Sequence, residues 1–235
     1  MISNAKIAIL GAAKSGISAA KLALEMGYQV VLSDIDKSKK IDIEANSCLT
    51  IELGEHSSAI LNCDIVIISP GISPNQPIVM KVINKGIPII SEIEFASWFT
   101  KSCILAVTGS NGKSTTVSIL DAIFSESDCH SLLGGNIGTP FSKNVLLEKN
   151  INNSGPIVHI LELSSFQIER INKFFAKIGC ILNISEDHLD RYDSMDLYIN
   201  AKLNLVSHCD YFFYDSCDSQ INIQLKDTAN AYPIS

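Results

Sequence analysis

The chain has 235 residues, one large domain or two small ones at roughly one to two hundred residues per domain. Hydrophobic residues make up 46% and charged residues 18%, which excludes a disordered chain. With 25 acidic against 18 basic residues the formal net charge is −7, and Arg170 and Arg191 are the only arginines, so the basic face that nucleic acid requires is missing.

No apolar run approaches the roughly 20 residues of a membrane span. The opening Met1-Ile2-Ser3-Asn4-Ala5-Lys6 lacks the basic and apolar regions of a secretion signal. A cytoplasmic protein without membrane insertion is the expectation. The seven cysteines (48, 63, 103, 129, 180, 209 and 217) form no Cys-x-x-Cys pair and read as buried, reduced thiols.

Residues 7–10 read as an apolar strand ending at Gly11, 15–26 as a helix closed by Gly27, and 29–32 as a second strand with Asp34 just beyond. Residues 64–68 form another buried strand, stopped by Ser69-Pro70-Gly71. A helix over 78–84 and a short strand over 88–90 follow. A second series opens with a strand at 104–107 and a helix at 113–124. Residues 157–163 and 178–184 read as buried strands, 197–206 as a helix, 211–214 as a late strand and 148–156 as a surface loop. Wholly apolar strands alternating with helices indicate parallel sheets covered on both faces. The fold class is α/β. A Rossmann-like parallel-sheet domain over 1–95 precedes a P-loop-type α/β ATPase domain over 96–235, with the boundary near 92–102.

Gly11-Ala12-Ala13-Lys14-Ser15-Gly16 follows a strand and opens a helix. It is a dinucleotide-type turn with Ala13 in place of the middle glycine, and Asp34 stands where a ribose-binding carboxylate is expected. A Cβ at the middle position obstructs a pyrophosphate, while Lys14 offers a positive partner. NAD(P), another nucleotide, or a purely structural turn all remain open on these residues.

Thr108-Gly109-Ser110-Asn111-Gly112-Lys113-Ser114-Thr115 carries more chemistry. Loop amides at a helix start cradle phosphates, the Lys113 ammonium reaches phosphate oxygens, and the Ser114 hydroxyl suits Mg²⁺. The ordinary nucleotide-hydrolase loop has a glycine where Val107 stands.

This compact loop resembles that of the Mur ligase and folylpolyglutamate synthetase superfamily. Further segments sharpen the likeness in the same order along the sequence. They are Ser69-Pro70-Gly71-Ile72, Gly134-Gly135-Asn136-Ile137-Gly138 and Leu161-Glu162-Leu163-Ser164-Ser165-Phe166-Gln167. The stretch from Leu182-Asn183-Ile184-Ser185-Glu186-Asp187 to His188-Leu189-Asp190-Arg191-Tyr192 follows, and Ala201-Lys202 completes it. The set is most similar to the branch of Mur ligases that adds D-glutamate.

The resemblance implies ATP-dependent addition of D-glutamate to UDP-N-acetylmuramoyl-L-alanine through an acyl phosphate, in peptidoglycan precursor synthesis, by a monomer. It implies ATP held by Gly109, Ser110, Asn111, Gly112, Lys113, Ser114 and Thr115. Two Mg²⁺ ions would be held by Ser114, Glu162, His188 and a carbamylated Lys202, with Lys113, His188 and Lys202 as the catalytic set. Lys14, Ser15, Asp34, Ser69 and Gly71 would bind the uridine diphosphate end of the substrate, and Asn136 and Ser164 the sugar–alanine end. Taken singly, Glu162 is also a plain strand-end carboxylate, His188 a surface histidine and Lys202 a solvent-exposed helical lysine.

Family members carry a third domain that closes over ATP, and this chain is expected to stop inside the central one. It is therefore expected to be a fragment, inactive alone, with an uncovered apolar sheet edge. The alternative is a nucleotide-binding remnant or interaction protein without ligase turnover.

Overall fold

The computed structural model describes residues 5–151, 155–187 and 191–234. The protein divides into two units, residues 5–99 with Pro140–Leu147, and Thr100–Thr139 with residues 148–234. Both are α/β, and every strand pair described is parallel. Among the described residues no helix is long and apolar enough to cross a membrane.

The first unit runs β1 (Lys6–Leu10), α1 (Lys14–Glu25), β2 (Gln29–Asp34), β3 (Leu49–Leu53), β4 (Ile65–Ile68), α2 (Pro77–Asn84), β5 (Ile89–Ser91) and α3 (Glu92–Ser97). Its sheet has the order β3-β2-β1-β4-β5. The central strand needs apolar residues on both faces, and Ile9 lies between Leu32 of β2 and Ile67 of β4. Ala8, Leu10, Val31, Val66 and Ile68 form one buried cluster with Val79 and Val82 of α2. The small side chains Ala19, Ala20 and Ala23 let α1 lie close against β1 and β2.

Next come β6 (Cys103–Thr108), α4 (Lys113–Ser125), β7 (His130–Gly135), α5 (Phe141–Glu148), β8 (Ile157–Glu162) and α6 (Ser165–Ile168). β9 (Ala176–Ile181), α7 (Met195–Leu203), β10 (Cys209–Asp215), α8 (Ser219–Leu225) and β11 (Ala231–Ile234) follow. The second sheet has the order β11-β10-β9-β6-β8-β7. β8 and β9 flank β6 on opposite sides, so their C-terminal ends surround the loop that leaves β6. That is the switch point at which parallel sheets place ligands.

Two expectations change on the fold. Glu148, read as the start of a surface loop, is the last residue of α5. It accepts from Ser102 Oγ at 2.6 Å and pairs with Nε2 of the fully buried His159 at 2.9 Å. Burial works to raise its pKa, yet the hydrogen bonds from His159, Ser102 and Thr100 outweigh that and lower it. All seven cysteines are free, as expected, but Cys48 and Cys217 are exposed rather than buried.

β11 lies at one edge of the second sheet, where an uncovered apolar edge is expected. Tyr232 and Ile234 are exposed there, as an apolar edge would have them. Asn230 O and Ile234 O accept from Phe212 N and Ser216 N of the β10 side, so Ala231 and Pro233 turn their backbone groups outward. Ala231 N already donates to Thr228 O, and Pro233 has no N–H. The described part of this edge therefore offers no amide to a further strand, which blunts edge-to-edge association.

In the first unit, Glu92 is 3% exposed and accepts from Ser142 N at 2.5 Å, at the start of α5, while its Oε2 has no hydrogen-bond partner among the described residues. Burial pushes its carboxyl up to about 7, against the opposing pull of the Ser142 and Phe141 hydrogen bonds. A carboxyl raised in the folded state stabilises the fold below its unfolded pKa and loses that contribution as pH rises through its folded pKa. Glu92→Gln should therefore flatten the fall in stability between pH 5 and pH 8, by about 1–3 kcal/mol. Urea unfolding followed by the fluorescence of Trp98, the protein's single tryptophan, checks it, because Trp98 packs on Phe95 in this unit. An equal pH slope in both proteins would refute the assignment.

Candidate functional site

In the first unit the candidate residues gather at the C-terminal ends of β1, β2 and β4. Gly11 follows β1, Lys14 and Ser15 open α1, Asp34 ends β2, and Ser69 and Gly71 follow β4. Gly16 is required by close approach, since a Cβ there would lie 1.8 Å from Gly11 O. Ser69 Oγ donates to Gly11 O at 3.4 Å. Asp34 accepts from Ala12 N through Oδ2 at 2.7 Å and from Asp36 N through Oδ1 at 2.9 Å. The carboxylate thus shapes the turn from within. Ala13 is the N-cap of α1 and its methyl group caps no amide, Lys14 is exposed, and the first turn of α1 holds no acidic residue.

In the second unit the phosphate loop leaves β6 and enters α4 through Gly112, whose φ of +83° is a left-handed conformation suited to glycine. No side group caps the start of α4, and its first turn holds no acidic residue. Lys113 Nζ donates to the carbonyls of Gly109 and Ser110, at 2.8 and 2.9 Å. Ser114 Oγ donates to Glu162 Oε2 at 2.7 Å, and Asn136 Nδ2 donates to Glu162 Oε1 at 2.9 Å. Glu162 is the last residue of β8 and 2% exposed. Thr115 is exposed on the first turn of α4.

Lys202 is not the solvent-exposed lysine that a helical position suggests. It is 2% exposed, on the face of α7 shared with Tyr198 one turn earlier. Its Nζ donates to Gly109 O at 2.9 Å and lies 4.7 Å from the centre of the Tyr198 ring. Burial, then the neighbouring Lys113 charge, push its pKa down to about 8, against the opposing pull of Asp187 and Glu162. Ser164 caps α6 in a reciprocal box with Gln167: Ser164 N donates to Gln167 Oε1 at 3.0 Å, and Gln167 N donates to Ser164 Oγ at 3.4 Å. The Ser-Ser-Phe-Gln stretch is thereby explained in part as a helix start. His188 lies outside the described residues.

A cavity of about 160 Å³ is lined by Lys113, Asn136, Ser164, Phe166, Tyr198 and Lys202, so four of the expected site residues share one space. The loop residues Ser110 and Asn111 instead face the segment after β9, through Asn183 and Ser185. Three residues that the sequence reading passed over belong here. Tyr198 reaches Ser110 Oγ through its hydroxyl at 3.1 Å, and Asn183 and Ser185 bond the loop. The signal for Tyr198 was its place four residues before Lys202. That for Asn183 was its polar side chain near the end of an otherwise apolar run at the phosphate-loop end.

Chemically, Ser114 and Glu162 form a hard oxygen pair beside a cation, which fits Mg²⁺ with a phosphate. Among the described residues no group of three or more His, Cys, Asp or Glu converges as a ready metal cluster.

Comparison with known proteins bears on both units. Residues 5–91 match the model "Mur ligase MurD-like, N-terminal domain", and residues 107–231 match "Mur ligase middle domain". The UDP-N-acetylmuramoylalanine–D-glutamate ligase of Christiangramia forsetii is 41% identical over 228 residues, covering 94% of this chain and 50% of that protein. The enzyme of the same name from Bacteroides thetaiotaomicron is 39% identical, covering 98% of this chain and 53% of its own length. The chain thus spans about half the length of these relatives. Among solved structures, the UDP-N-acetylmuramate:L-alanyl-γ-D-glutamyl-meso-diaminopimelate ligase of Neisseria meningitides aligns with a TM-score of 0.63 at 18% identity. The alignment covers 99% of this chain and 77% of that one, a likeness of fold. With the middle-domain model matched over more than half its residues, the chain belongs to the Mur ligase family.

Proposed function

We propose that these two units are the UDP-substrate-binding and ATP-binding parts of a ligase that adds D-glutamate to UDP-N-acetylmuramoyl-L-alanine, a step of peptidoglycan precursor synthesis. The observation that carries this reading is the convergence of Lys113, Ser114, Asn136, Glu162 and Lys202 at the ends of β6 and β8. The names of the relatives supply the substrates.

In this reading the γ-phosphoryl group of ATP passes to the L-alanine carboxylate. The amine of D-glutamate then attacks the acyl phosphate, and phosphate leaves as the amide forms. The chemistry demands that anions be brought together, which positive charge and oriented amides achieve. The loop amides and Lys113 hold the phosphates. Ser114 and Glu162 would hold Mg²⁺, together with His188 and, once carbamylated, Lys202. When bound, Mg²⁺ would supply charge neutralisation for the reacting anions. Asn136 orients Glu162, and with Ser164 it faces the sugar–alanine end. In the first unit the α1 turn receives the diphosphate, with Lys14, Ser15, Asp34, Ser69 and Gly71 around it. Ala13 stands where NAD-binding turns keep a glycine, so the turn departs from the NAD fingerprint, and Lys14 offers the diphosphate a positive partner.

Calorimetric titration of the 235-residue protein with Mg·ATP tests the second unit. Lys113→Ala should weaken binding about ten- to a hundredfold, the cost of a charge-assisted hydrogen bond. Glu162→Ala should weaken it only when Mg²⁺ is present. Equal affinities in wild type and both variants would remove the ATP assignment.

Carbamate formation needs the neutral amine, so the carbamate on Lys202 should grow as pH rises through about 8 at fixed dissolved CO₂. NMR of the protein in isotopically labelled bicarbonate reads it directly. A carbamate signal that survives in Lys202→Ala would place the modification elsewhere.

For the first unit, the protein should bind UDP in preference to NAD⁺, and Asp34→Ala should lower UDP affinity about tenfold. A preference for NAD⁺ in the same titration would overturn the uridine assignment.

A further inference from the structure

We infer that Asn183 is the positioning residue of the phosphate loop: its side-chain amide grips the backbone of Asn111 at both hydrogen-bonding groups and holds the loop in its phosphate-binding form. The inference rests on the ATP reading above for its purpose, and on geometry for its substance.

The β6–β9 ladder runs as far as Thr108 opposite Ile181, and Leu182 N still donates to Thr108 O at 3.0 Å. Beyond that rung the segment leaving β6 turns into the glycine loop and no longer pairs as a strand. Side groups extend the ladder instead. Asn111 N donates to Asn183 Oδ1 at 2.9 Å, and Asn183 Nδ2 donates to Asn111 O at 3.1 Å. The amide thus meets two successive peptide planes and restrains both backbone torsions of Asn111.

Only an amide side group offers a donor and an acceptor in this arrangement. The partners also settle its orientation, since a backbone N–H must meet the oxygen and a backbone carbonyl the nitrogen. Two neighbouring bonds brace the grip. Ser110 N donates to Asn183 O at 3.0 Å, and Asn111 Nδ2 donates to Ser185 Oγ at 3.1 Å. A loop with glycines at 109 and 112 has conformations to spare, and holding one of them ahead of binding lowers the ordering cost of the ligand complex.

The test is residue-resolved amide exchange by NMR on the whole protein, with Mg·ATP titration, for wild type, Asn183→Ala and Asn183→Asp. The Asn111 amide should exchange at least about tenfold faster in Asn183→Ala, as befits one lost neutral hydrogen bond. It should stay protected in Asn183→Asp, which keeps the acceptor. Ser110, bonded to the backbone of residue 183, serves as the internal control and should be unchanged in both. Mg·ATP affinity should fall about tenfold in Asn183→Ala.

Unchanged Asn111 exchange in Asn183→Ala would overturn the proposal, as would Ser110 and Asn111 rising together, the mark of a general loss of stability. Faster Asn111 exchange with unaltered affinity would show that the grip does not serve the nucleotide, and would overturn it too. If wild type fails to bind Mg·ATP, the functional reading falls, while the Asn111/Ser110 contrast still decides whether Asn183 holds the loop. Should the alanine variant misfold, the aspartate variant decides: an Asn111 amide that loses protection there refutes the acceptor role.

Discussion

Two ammonium groups share one carbonyl oxygen in the second unit. Lys113 Nζ and Lys202 Nζ lie 2.8 and 2.9 Å from Gly109 O. Like charges at this separation repel, and burial of Lys202 adds a desolvation cost, which is why its pKa drops. Two carboxylates nearby offset part of the positive charge. Glu162 ends β8 beside Ser114, and Asp187 follows the strand end at β9. The two lysines lie far apart in sequence, so the parallel sheet and α7 have to be in place before the pair can form. An anionic ligand, or conversion of one lysine to an anion, relieves the repulsion. In that sense the second unit is built around a charge that it does not itself supply.

Parallel strands make such concentration possible. All their C-terminal ends lie on one edge, and each following helix points its N-terminus there. The capping pattern separates the two glycine-turn helices, together with α2, which starts on Pro77, from the helices with side-chain caps. α3, α6, α7 and α8 start on Ser91, Ser164, Ser194 and Asp218, each of which accepts a backbone amide through its side-group oxygen. α1 and α4 start on Ala13 and Gly112, with no such cap and no acid in the first turn. A cap contributes about 1 kcal/mol, so its omission at these two helices costs stability and leaves their amides to another acceptor.

Legibility in sequence followed apolar density. β1, β4, β6 and β8 were readable because dense apolar runs of Ile, Leu, Val and Ala, broken in β8 by His159, end at glycine, proline or a polar loop. β3 was not, since Leu49-Thr50-Ile51-Glu52-Leu53 alternates and lies at a sheet edge, with Thr50 and Ile51 exposed. β7 ends in two glycines, and α5 carries too few apolar positions to declare its period. β11 contains a proline, which argues against a strand until an edge position is known. In the site, residue types named the phosphate loop, Glu162 and Ser114. Burial of Lys202, the hydroxyl contact of Tyr198 and the grip of Asn183 arise only when β6, β9 and α7 come together.

The thiols divide in a way that matters for solution work. Burial raises Cys63 and Cys209 to about 11 and Cys180 to about 12, and it raises Cys103 as well, so few of these are thiolates near neutrality. Cys48 and Cys217 are the exposed pair, one on each unit. Maleimide dyes at neutral pH will therefore favour one handle per unit without any engineering of the protein. A donor and an acceptor attached there turn the native sequence into a single-molecule ruler, whose reading follows the separation of the two units as candidate ligands are added.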